Sequence, residues 1–184
     1  MKKTVRLTTG LMPVPVVMVS CGDMQKSDIV TIAWAGTVNS EPPMLSISVR
    51  RSRYSYSMIK ESGEFVVNIV NKELLEKCDG CGTVSGRDVD KFNKFLLTKE
   101  KSEKVSAPSI AESPVNLECV VKQTVEMPTH VMFIAEIVNV RVREDWVDGL
   151  TFKVPEDEVV AYVQNRYVET GKTLGTYGFT AQKK

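Results

Sequence analysis

The densest collection of groups able to do chemistry is the run RRSRYS, which sets Arg50, Arg51 and Arg53 beside the hydroxyls of Ser52 and Ser55. Met58, Ile59 and Gly63 follow, an apolar pair and a terminal glycine that read as a short helix with Ser52 or Ser55 as its cap. Guanidiniums and hydroxyls at a helix start suit a phosphate, because charge-assisted bonds add to the orphan N–H groups and the positive end of the dipole. The same run also reads as a solvated basic turn. Lys91 is a further candidate: Val89, Phe92 and Phe95 form an apolar stripe at spacings of three, and a lysine flanked by core contacts can hold its ammonium against a fixed anion. Neither GxGxxG nor GxxxxGK[ST] occurs, so phosphate recognition falls to the basic turn.

The single histidine, His130, has no partner histidine or acidic cluster in spacing, which points to a hydrogen-bonding role rather than a metal site. One histidine and no clear acid/base pair argue against a hydrolase. Cys78 and Cys81 in CDGC have the spacing of a redox dithiol or a metal half-site, and equally of two structural thiols; no second CxxC exists to complete a zinc site. Tyr162, Tyr167, Tyr177 and Phe179 give the tail aromatic faces beside Gly171, Gly175 and Gly178.

These groups need a scaffold, and the pattern around them is largely β. Ile29–Gly36 and Met44–Val49 read as neighbouring strands joined by the NSEPP turn. The second alternates, with Leu45, Ile47 and Val49 on one face and Ser46, Ser48 and Arg50 on the other. Pro13–Ser20 and Phe65–Val70 are further strands, and NKELLEKCDGCG is a short helix capped by Asn71. Asp88 is the expected cap of the helix carrying Lys91, and residues 99–113 read as a loop over the surface. Asn116–Glu126 and Val131–Val142 form a long hairpin, the second strand apolar enough to be covered on both faces, as a barrel wall or a subunit interface.

The chain has 184 residues and reads as one domain, 1–184. With 24 Lys and Arg against 23 Asp and Glu it lacks the bulk charge for nucleic acid or an anionic membrane, so any phosphate site is local. No apolar run approaches the roughly 20 residues of a membrane span, no signal peptide is evident, and four cysteines suit a reducing compartment; the expected location is cytoplasmic. About seven short strands and three short helices with hairpin connections make the expected fold mainly β with short helices, a small decorated barrel.

The order of PVPVVMVS, TIAWAGTVNSEPPMLSISV, RYSYSMIKESGEFVVN, GTVSGRDVDKF and THVMFIAEIV resembles the flavin reductase-like family, the FMN-binding split barrels that include the flavoredoxins. The resemblance implies a dimeric FMN-binding split β-barrel with the flavin held non-covalently near the subunit interface. It implies Thr31, Ala33, Trp34 and Ala35 near the ring or its ribityl chain, Ser48, Arg53, Ser55 and Lys91 at the phosphate, with Arg50 and Arg51 as lesser candidates. His130 would approach the flavin, and Tyr162 or Tyr167 would cover it. Departures are Asp28 where the family often has Asn, PTH where GDH is common, and Ala135 where Gly is frequent. The implied activity is a flavoredoxin-type oxidoreductase passing electrons through FMN between small-molecule or protein partners. NAD(P)H-dependent flavin reduction is the alternative, and a binding module that has lost flavin is a third. A flavin takes from its protein orientation and electrostatics, which the residues above can supply.

Overall fold

A computed structural model describes residues 1–181. Its elements are β1 (Val14–Pro15), β2 (Val17–Gly22), β3 (Ser27–Ile32), β4 (Ala35–Ser40), β5 (Pro43–Arg50), α1 (Tyr54–Ser62), β6 (Glu64–Ile69), α2 (Leu75–Thr83), α3 (Lys91–Lys94), β7 (Lys99–Glu100), β8 (Ser109–Ile110), β9 (Val115–Glu126), β10 (His130–Val142), β11 (Val147–Asp148), β12 (Thr151–Phe152), β13 (Val160–Val163) and β14 (Arg166–Glu169). No helix among the described residues is long and apolar enough to cross a membrane.

Seven strands form one sheet in the order β3-β2-β6-β9-β10-β5-β4. Its edges, β3 and β4, are consecutive in the chain and separated only by Ala33 and Trp34. Three peptide steps reach at most about 11 Å, so the sheet must curl until its edges nearly meet. The Ser48 N–H donates to the Trp34 carbonyl at 2.9 Å, which carries the β4–β5 ladder one residue back into the link between the edges. Ile29–Gly36 is therefore two strands rather than the single one expected, because Ala33 and Trp34 carry the chain across the seam.

Alternation fills the barrel. Val17, Val19 and Cys21 of β2 join Val30, Ile32, Leu45, Ile47, Val49, Phe65, Val67, Val131, Phe133 and Ala135 in the inner core, closed at one end by Ile59 of α1. Val16 and Met18 face outward into a second cluster with Leu74, Cys78, Cys81, Phe92 and Val160, where α2, α3 and the β1-β13-β14 sheet pack on the barrel. Two covered faces explain why β2 reads as an unbroken apolar run. On β10 only Val131, Phe133 and Ala135 are fully buried; Met132, Ile134 and Glu136 are half-buried, so that strand has a covered and a partly open face.

Local chemistry sets the helices. Gly63 ends α1 in the left-handed region (φ 68°) with its N–H on the Ile59 carbonyl, and Asn71 accepts from the Leu74 N–H at 3.1 Å to start the 3-10 turn before α2. Asp90, not Asp88, caps α3 by accepting from the Asn93 N–H, since Asp88 lies two residues too early. Arg53 occupies the cap position of α1 without a side-chain bond, and Ser55 lies inside the helix.

Residues 99–113 lie closer to the sheet than a surface loop would. Ser102, Ala107, Ser109 and Ile110 are buried. Glu118 accepts from the Glu103 and Lys104 N–H groups, and Asn68 accepts from the Ile110 N–H and the Asn116 amide. Asn71→Ala removes the cap bond and is expected to cost about 1 kcal/mol in urea unfolding, with an unchanged m-value.

Candidate functional site

Two cavities meet where the barrel edges approach each other. The larger, about 640 Å³, lies at the seam, bordered by Val30–Trp34, Ser48–Arg50, Arg53 and His130, with the N-terminal arm Thr8–Met12 and the β13–β14 hairpin forming its outer wall. The smaller, about 450 Å³, shares Val30, Thr31, Arg50 and Arg53 with it and continues to Asp28, Ser52–Ser55, Cys81, Ser85–Arg87 and Lys91. The first is the size of a cofactor slot and carries Trp34 at its mouth. The second collects four cations.

In the larger cavity the Trp34 and His130 rings lie 4.6 Å apart at an interplanar angle of 41°. His130 faces Arg50 across the β10–β5 ladder, and its Nδ1 is 2.8 Å from the Thr129 hydroxyl. Burial, and then the Arg50 charge, hold its pKa below the ordinary 6.5, so the ring is neutral at pH 7. Tyr162 and Tyr167 close the far side with centroids 5.4 Å apart, and the Tyr167 hydroxyl donates to Asp79 at 2.6 Å. Thr31 sits on the wall between the cavities, its hydroxyl donating to the Cys78 carbonyl at 2.5 Å.

The smaller cavity opens onto the first turn of α1, whose N-terminal N–H groups have no side-chain cap. Arg50 and Arg53 are exposed at its rim, joined by Arg87, which donates to the Ser52 carbonyl at 3.0 Å with its guanidinium 5.6 Å from the Tyr54 ring centre. At the floor lies a buried group. Ser55 Oγ donates to Asp28 Oδ2 at 2.5 Å, Lys91 Nζ donates to the Ile29 carbonyl at 2.5 Å, and the same ammonium stands 3.3 Å from Asp28 Oδ1. That last pairing is ionic without hydrogen-bond geometry, which leaves Oδ1 without a donor. Gly86 is packed so tightly that a Cβ there would lie 2.3 Å from Asp28 Oδ1 and 2.7 Å from Tyr54 Cδ1.

Of the residues expected from sequence, Thr31, Ala33, Trp34, Ser48, Arg50, Arg53, His130, Tyr162 and Tyr167 line the larger cavity, and Ser55 and Lys91 the smaller. Ala35 lines neither; it packs against the barrel core. Arg51 lines neither, because its guanidinium is spent on the β9–β10 turn, bonding the Met127 carbonyl and Glu126. Arg87 is the residue that sequence reasoning missed. Its signal was the GR pair in SGRDVDKF, whose distance in sequence from RRSRYS concealed that both meet. Cys78 and Cys81 are buried free thiols pushed up to about 12, chiefly by burial, so at neutral pH both are protonated packing groups in α2.

The model of the flavin reductase like domain matches residues 9–171, and the chain belongs to that family. Its fold is the split barrel. A solved flavoredoxin of Desulfovibrio vulgaris (Miyazaki F) superposes with a TM-score of 0.87 at 30% identity, covering 96% of this chain and 97% of that one. An uncharacterized protein of Archaeoglobus fulgidus is 36% identical over 147 residues, 80% of this chain and 82% of its own. A ferric-chelate reductase (NAD(P)H) of the same organism is 25% identical over 140 residues, 76% of this chain and 75% of its own. Family and neighbours together make this a flavin-related oxidoreductase.

Gly86→Ala is expected to lower stability by about 1 to 3 kcal/mol, as overpacking against buried side chains does, measured by denaturant unfolding. For His130 the folded pKa lies below the unfolded one, so its contribution to stability is full above pH 6.5 and is lost as pH falls through the folded value. His130→Gln should therefore flatten the decline in melting temperature between pH 7.5 and 5.

Proposed function

We propose that the protein binds FMN non-covalently across the two cavities and passes electrons through it as a flavoredoxin-type oxidoreductase. The observation that carries this reading is the continuity of a ring-sized cavity with a basic one through Thr31, Arg50 and Arg53. In this arrangement Trp34, His130 and Tyr167 border the ring, while Arg53, Arg50, Arg87 and the first turn of α1 receive the phosphate. Thr31, Ala33 and Ser48 border the ribityl chain. Bound flavin supplies the redox chemistry; the chain orients it, sets its electrostatic surroundings and keeps water from one of its faces. His130 is neutral at pH 7 and can accept or donate one hydrogen bond at the flavin edge without adding a charge.

A second reading, in which NAD(P)H delivers hydride to the flavin, is supported by the kinship with the ferric-chelate reductase and by the width of the larger cavity. The proposal also includes a homodimer. Strand β4 lies at a sheet edge, with five of its six residues exposed, Val38 among them, which suits a partner copy. Light scattering at micromolar concentration reads this directly: twice the 20.5 kDa chain mass is expected, and a monomer removes the dimer from the proposal.

Titration with FMN, followed by quenching of Trp34, should show binding that Arg53→Ala weakens by about 1 to 3 kcal/mol, the range for a charged hydrogen bond. The flavin-loaded protein, mixed anaerobically with NADH and then NADPH, separates the two readings. Bands that persist with both nucleotides but bleach with dithionite support the carrier; rapid bleaching by either supports the reductase. A chain that binds no FMN overturns both.

A further inference from the structure

The floor of the basic cavity holds a charge arrangement that works against a phosphate ligand. Asp28 is 1% exposed and Lys91 5%, yet both border the cavity. The Lys91 ammonium is held from below by the Ile29 carbonyl and faces Asp28 Oδ1 at 3.3 Å, so its positive charge is matched before any ligand enters. Ser55, whose hydroxyl stands in the first turn of α1 and could donate to an anion, donates instead to Asp28 Oδ2. Gly86 closes over the carboxylate, and Cys81 stands beside the pair, its thiol feeling both charges. One carboxylate thus occupies one hydroxyl and offsets one ammonium. The remaining cations, Arg50, Arg53 and Arg87, are exposed at the rim, where solvent and salt weaken them.

We propose that Asp28 is a specificity-determining residue of the phosphate subsite: it withholds Lys91 and Ser55 from the ligand and so limits the preference for a phosphorylated flavin over its dephosphorylated form. This rests on the flavin reading above. Asp28 acts through charge, so its effect attaches to the phosphate and leaves the ring unaffected. Replacing it with the isosteric amide frees the ammonium, removes an anion from the phosphate's neighbourhood and keeps an oxygen that Ser55 can still bond.

The test is a titration of FMN and riboflavin against the wild-type chain, Asp28→Asn, and the double variant Asp28→Asn/Lys91→Met. Asp28→Asn should bind FMN about tenfold more tightly, one unit of charge acting at partly screened distance, with riboflavin affinity unchanged. The double variant restores a neutral floor, and neutral replacements for buried ion pairs are commonly tolerated; its FMN affinity should match the wild type, which keeps the test alive where Asp28→Asn alone does not fold. Equal FMN affinity in Asp28→Asn and wild type, or equal tightening toward riboflavin, overturns the proposal. So does a double variant at least tenfold weaker than wild type, since Lys91 would then already serve the phosphate. No binding of either flavin by the wild type instead overturns the flavin reading itself, and the inference with it.

Discussion

Two residues constrain this molecule more than any others. Ala33 and Trp34 join the opposite edges of a seven-stranded sheet, and a connection that short forces the sheet to curl into a barrel with a seam. Because the edges are bridged by chain rather than zipped along their length, the seam leaves room. The larger cavity occupies that room; its inner wall comes from residues that bridge or flank the seam, Val30 to Trp34, Ser48 to Arg50, and His130 opposite Arg50 in register, and its outer wall from the N-terminal arm and the β13–β14 hairpin. The site is a consequence of how the barrel closes. Trp34 is exposed there because its backbone belongs to the link between the edges, which leaves a large apolar face in a concave site.

Charge is distributed to match. The exposed arginines and the uncapped first turn of α1 face the smaller cavity, while the pair beneath them is buried and balanced. A buried ion pair is costly to assemble, since desolvation offsets much of the Coulomb attraction. Here the carboxylate recovers part of that cost through Ser55, and the ammonium through a backbone carbonyl. The thiols of α2 are buried and uncharged, and the Thr31 bond to the Cys78 carbonyl ties α2 to the strand that forms the wall between the cavities.

Much of the fold was legible because alternation and capping are local. Leu45, Ile47 and Val49 alternating with Ser46 and Ser48 gave β5 its inward and outward faces, and Asn71 announced its turn. What failed depended on contacts distant in sequence. Nothing in TIAWAG marks the break at Ala33, because the seam is a property of seven strands together. Ser55 looked like a cap, but Asp28, 27 positions away, captures its hydroxyl. Arg51 resembled its neighbours until the β9–β10 turn claimed it, 75 residues on. Arg87 was missed for the converse reason: it reaches Ser52 across 35 residues. The buried loop after β7 looked polar because its serines and backbone satisfy one another and Glu118 beneath the surface.

The most direct measurement of the central claim is a crystal structure of the protein soaked with FMN. The account expects the isoalloxazine against Trp34 at the seam, and the phosphate among Arg53, Arg87 and the first N–H groups of α1. A flavin bound with its phosphate away from those arginines, or with its ring outside the seam, would contradict it.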